Sequence, residues 1–155
     1  MTEDDVDFVV AAYRDDGDWS VMELPAKLGE DFAELSEALR RFPSEVGTLA
    51  LVSIKDDFFA IVRRSGQQVR VLLSDNTATL DYPLAADIAE ALDAPDPDDD
   101  DPVEPIGDLE ILADLGVASV ELSLLCEDDD LYPDDVLLDI AERLGFRDQL
   151  ETIVG

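Results

Sequence analysis

The chain alternates like a sheet at its start, shifts to a spacing of three and four, returns to strands and then turns helical. VDFVVAAY (6–13) and WSVMEL (19–24) are rich in β-branched and aromatic residues, and Asp16-Gly17 between them supplies the positive-φ residues of a tight hairpin. In DFAELSEALRRF (31–42), Phe32, Leu35, Leu39 and Phe42 fall on one helix face. Asp31 and Glu34 resemble a capping box at its start, and Pro43 stands just past its end. TLALVSI (48–54) is almost continuously apolar, as a central strand covered on both faces would be. FFAIVRR (58–64) and QVRVLLS (68–74) follow, with a hairpin signal at Ser65-Gly66. Pro83 opens a helix that directs Leu84, Ile88 and Leu92 to the core. The predicted order, β-β-α-β-β-β-α, is an α+β domain with a five-stranded, mostly antiparallel sheet and helical cover on one face.

Residues 93–107 break the pattern. Prolines 95, 97, 102 and 105 remove backbone donors and disfavour helix in the residues before them, while Asp98, Asp99, Asp100 and Asp101 repel one another and extend the chain. The chain therefore divides into an α+β domain (1–92), an acidic Pro/Asp-rich linker (93–107) and a helical region (108–155). In the last of these, Asp108 caps a short helix, LEILADL, that stops at Gly116. VASVELSLLCE (117–127) forms a second helix. Pro133 starts a third with the stripe Val136, Leu137, Ile140, Ala141 and Leu144, and a last helix carries Phe146, Leu150, Ile153 and Val154. So few residues make a marginal core alone, so this region is expected to dock on the sheet or on another chain.

Charge changes the picture more than composition does. Forty acidic residues face ten basic ones, for a net charge of −30, with 19 acids and 8 bases before residue 93 and 21 and 2 from there on. Such a surface repels phosphate backbones, which argues against direct nucleic-acid binding, and attracts basic protein surfaces. Solubility, or life at high salt, is the ordinary alternative explanation of the acidity, and the excess of arginine over lysine is a bias also expected from a GC-rich genome. No apolar run approaches the length of a membrane span, and MTEDDVDF has no basic n-region, so a cytoplasmic protein is expected.

Candidate chemistry is sparse. Consecutive aspartates lack the spaced ligands and glycine bend of a calcium loop, and the cluster Asp128, Asp129, Asp130, Asp134 and Asp135 sits at a helix start, where the macrodipole favours carboxylates. Cys126, the sole cysteine, lies on an apolar helix in a chain with no histidine to activate it, and reads as core filler. No catalytic residue, cofactor site or metal site is assigned. The arginines are the less obvious signal: Arg63, Arg64 and Arg70 lie on neighbouring strands, and Arg40 and Arg41 close the first helix. They are expected to pair internally with carboxylates, with the linker or the helical region packed nearby.

DLEILADLGVASVELSLLCE and LLDIAERLGFRDQLETIV, together with GTLALVSIKDDFFAIVRR and VRVLLSDNTATLD, resemble the bacterial family of tRNA adenosine deaminase-associated proteins. The resemblance implies a companion of such a deaminase, a link named from gene neighbourhood, and brings no catalytic residues. A deaminase itself needs zinc on His and Cys ligands with a glutamate proton shuttle; this chain lacks H-x-E and P-C-x-x-C. The expected function is a non-enzymatic accessory protein that binds a basic partner, a tRNA adenosine deaminase being the one implied. Asp98–Asp101, Arg63 and Arg64 are the candidate partner-binding residues. The alternative is a homodimeric scaffold or regulatory binding module of roadblock- or profilin-like layout, an analogy that does not fix function. A carboxylate-based, metal-dependent enzyme ranks below both.

Overall fold

Six strands form one antiparallel sheet in the computed structural model, which describes residues 6–15, 17–42, 47–54, 58–65, 68–80, 82–93, 105–127 and 131–154. Strands β1 (Val6–Asp15) and β2 (Asp18–Glu23) pair with Asp15 opposite Asp18, so two residues turn the hairpin, and Gly17 takes a φ of 83°. A side chain there would be strained, which explains the glycine. Strand β3 (Thr48–Ile54) lies between β1 and β4 (Phe58–Ser65), and all seven of its residues are buried, as its apolar run predicts. Next to β4 comes β5 (Gln68–Leu73).

A sixth strand, β6 (Ile106–Gly107), corrects the expected count of five. It pairs with β5, Leu72 opposite Gly107 and Leu73 opposite Ile106. Two residues carry no alternation to read, so the sequence hid it within the expected linker. Gly107 makes it possible: its φ is 110°, and a Cβ would collide with the Val71 carbonyl oxygen. Asp98–Asp101 lie outside the described residues, as do Asp128–Asp130.

Alternation along each strand divides the core between two faces. On one face Val9, Ala11, Ala50, Val52, Ala60, Val62 and Leu73 pack under Leu35 and Leu39, and under Leu84 and Ile88. Helix α1 (Phe32–Ala38) begins at Asp31, whose Oδ1 accepts the Glu34 N–H at 3.1 Å, and runs on as a 3-10 turn through Arg41. Helix α2 (Pro83–Ala91) has proline in its first turn, as expected.

The opposite face carries Phe8, Val10, Leu49, Leu51, Phe59, Ile61 and Leu72. Over it lie α3 (Ser119–Glu127), α4 (Pro133–Leu144) and α5 (Arg147–Val154), contributing Leu122, Val136, Leu137, Ile140 and Leu150, with Phe146 from the turn between α4 and α5. The C-terminal helices thus share their core with the sheet. Each such leucine contributes about 1.5–3 kcal/mol by leaving water. Gly145 ends α4 at a φ of 110°.

The short helix expected over 109–115 is a turn followed by a 3-10 segment, Ala113–Leu115, ended by Gly116. The physical reason lies in the sheet below. Arginine side chains reach the carbonyls of Glu110 and Ile111, and the backbone closes tighter bonds over them, Ala113 N–H to the Glu110 carbonyl and Leu115 N–H to that of Leu112, instead of α-helical ones.

Candidate functional site

Arg63 on β4 and Arg70 on β5 are a directly opposed cross-strand pair on the face that the C-terminal helices cover. Two like charges so placed repel unless carboxylates reach both. The 108–114 segment supplies them. Arg63 donates to both oxygens of Asp114, at 2.6 and 2.8 Å, and to the Ile111 carbonyl at 2.7 Å. Arg70 donates through Nε to Asp108 at 2.6 Å and through Nη2 to the Glu110 carbonyl at 2.9 Å. The Arg63 side chain is 6% exposed and that of Asp114 59%, so the carboxylate closes over a buried guanidinium from the solvent side. Such a two-point contact suits the planar fork of arginine, and lysine could not reproduce it.

The electrostatics follow from these contacts. The Arg63 guanidinium holds the Asp114 carboxyl below its ordinary value, against a smaller opposing effect of burial. Arg70 does the same for Asp108, aided by the Glu110 N–H.

Arg64, the next residue, points to the other face. Its Nη1 donates to the Ser36 carbonyl at 3.0 Å and to Ser36 Oγ at 2.9 Å, with Glu37 at 3.7 Å. The dipeptide Arg63-Arg64 therefore pins one layer on each side of the sheet. Arg40 pairs with Glu37 on the surface.

The far edge of the sheet is closed as well. Gln149 of α5 accepts the Val21 N–H at 3.1 Å and donates to the Trp19 carbonyl at 2.8 Å, standing in for a neighbouring strand along β2. Trp19 also packs on Phe146, ring centroids 5.0 Å apart. The C-terminal region thus begins as β6 at one edge of the sheet and ends on β2 at the other. An edge strand covered in this way is a poor template for pairing with another chain.

The candidate aspartates fare differently. Asp135 Oδ2 accepts the Tyr132 N–H at 3.2 Å at the start of α4, the capping role expected there. Cys126 is half-buried, and burial, with Glu127 nearby, pushes its thiol up to about 12, which suits core packing and not nucleophilic chemistry. Among the described residues no group of three or more His, Cys, Asp or Glu could hold a metal ion. None of their helices is long and apolar enough to cross a membrane. Sequence reasoning did not single out Asp108, Asp114 or Gln149 as the groups that meet the sheet. Asp114 lies 51 residues from Arg63, and Gln149 lies 128 from Val21, so no spacing rule connects them. The excess of acids over bases near a clustered basic patch was the only available signal.

A family model described as Rv3753c-like tRNA adenosine deaminase-associated protein matches residues 7–147. The chain belongs to this family. Protein Rv3753c of Mycobacterium tuberculosis (strain ATCC 25618 / H37Rv) is 37% identical to it over 150 residues, covering 95% of this chain and 87% of the relative. No solved structure matches. The stretch matched by the tRNA adenosine deaminase-associated family includes the sheet, the opposed arginines, α3 and α4, and ends at the first residue of α5. Its description names an association with a deaminase, consistent with an accessory protein.

Proposed function

We propose that this protein is a non-catalytic, cytoplasmic companion of a tRNA adenosine deaminase and binds a basic protein surface through its acidic exterior. The observation that carries this reading is the use made of its few cations. Of eight arginines, Arg40, Arg63, Arg64, Arg70, Arg143 and Arg147 each lie within ion-pair distance of carboxylates of the same chain. With these six of the ten cations engaged internally and 40 acids against 10 bases, the long-range field is negative, which steers cationic surfaces inward and repels nucleic acid. Arg63 and Arg64 act in this reading as holders of the two layers. Asp98–Asp101 add four consecutive negative charges in the sequence. The Gln149 closure of β2 favours a different partner over edge-to-edge pairing of two copies.

Co-purification with the tRNA adenosine deaminase of the same genome, from low to moderate salt, tests the proposal. A complex that weakens as salt rises is expected, with Asp98–Asp101 changed together to asparagine weakening it further. Absence of a complex at every ionic strength, with deaminase activity unchanged, contradicts it.

A further inference from the structure

We infer that the outward face of α3, carrying Val120 and Leu124 among carboxylates, is the docking surface for a basic protein partner. This deepens the accessory reading and rests on it. Helix α3 is apolar on more sides than its core contact needs. Only Leu122 is fully buried, with Leu125 and Cys126 packed partly against the C-terminal core. Val120 is 68% exposed and Leu124 62%. Four residues apart, they present one continuous outward ridge. Among the described residues the other exposed large hydrophobics are Met22, Val69 and Tyr132; the first two stand singly on strands. Single exposed apolar residues need no explanation; Val120 and Leu124 are the pair among the described residues that stand exposed one turn apart on a helix.

Charge identifies the occupant. Glu121 and Glu127 are exposed on the same helix, each within one turn of Val120 or Leu124. The described cation nearby, Arg143, already pairs with Glu121 at 2.8 Å and with Asp139 at 3.2 Å. A second copy of this chain would bring the same carboxylates against each other, and nucleic acid would be repelled. A protein surface with apolar side chains among lysines and arginines satisfies both the ridge and its border.

Isothermal titration calorimetry of the full chain with the tRNA adenosine deaminase of the same genome tests this. Val120→Ser/Leu124→Ser is expected to weaken binding about tenfold or more, which corresponds to about 1.4 kcal/mol. Met22→Ser is expected to bind as the parent does, and Glu121→Gln/Glu127→Gln to flatten the salt dependence. Hydrogen exchange on the unaltered complex gives a reading independent of any variant's folding, with slowed exchange expected at 119–127. A complex that forms normally with Val120→Ser/Leu124→Ser, without protection of α3, overturns this surface and leaves the accessory reading standing. If the parent chain forms no complex at any salt concentration, both fall.

Discussion

On one face of the sheet α1 and α2 lie over strands close to them in sequence, while on the other α3 to α5 arrive after a long acidic stretch. Both layers bury apolar stripes of similar character. They differ in their polar attachment. Arg64 meets a carbonyl and a hydroxyl of Ser36 on the α1 side, with Glu37 more distant; Arg63 and Arg70 meet the carboxylates of Asp114 and Asp108 on the other. Apolar burial holds both layers, but it is non-directional and leaves the placement of a distant segment loosely specified. The opposed arginines add direction, because their mutual repulsion is relieved only when the 108–114 segment lies across them. The nearer layer can thus rely on chain connectivity, whereas the farther one is positioned by charge.

The largest effects should be alike on the two faces. Leu137→Ala and Leu84→Ala each remove a fully buried leucine and should cost about 3 kcal/mol in urea unfolding, within a single shared transition. Separate transitions would break the claim that the layers share one cooperative core. Gly107→Ala forces a side chain into a φ of 110° against the β5 backbone and should cost about 2 kcal/mol, with exchange at 106–108 accelerated first.

Smaller effects should separate the faces. Asp114→Ala leaves the buried Arg63 guanidinium without its carboxylate and should cost about 1.5–3 kcal/mol, against about 1 kcal/mol for Ser36→Ala; equal losses would remove the contrast. Acid should act through the same asymmetry. Asp108 and Asp114 have folded-state pKa values lowered from 3.8, so their stabilisation is fully present above that value and is lost as pH falls through the lowered ones. Hydrogen exchange in that acid range should rise on α4 before α2.

Much of this fold was legible because it is written in local pattern. The alternation of β1 and β2, the two-face burial of β3 and the stripe of α4 follow from periods of two and 3.6. The β6 strand was not legible, since two residues after a proline-rich stretch hold no period. The 109–115 segment reads as a helix by composition, whereas its turn and 3-10 bonds are seated on Arg63 and Arg70, which are far away in the chain. At the candidate site, the internal pairing of the arginines was foreseeable from charge balance. The identity of Asp108 and Asp114 as their counterparts, and of Gln149 as the group that covers β2, depends on tertiary placement. The α3 ridge was hidden for a related reason: an apolar helix reads as core until its neighbours show which side they cover.

The β4 and β5 arginines are committed to the C-terminal layer, and the placement of the 108–114 segment depends on that commitment. Carbon-detected NMR titration of the Asp108 and Asp114 carboxyls tests it most directly. Both should titrate below the ordinary 3.8, and Arg63→Met should return Asp114 toward that value while Asp108 stays low. Carboxyls that titrate at or above 3.8 in the intact protein would contradict it.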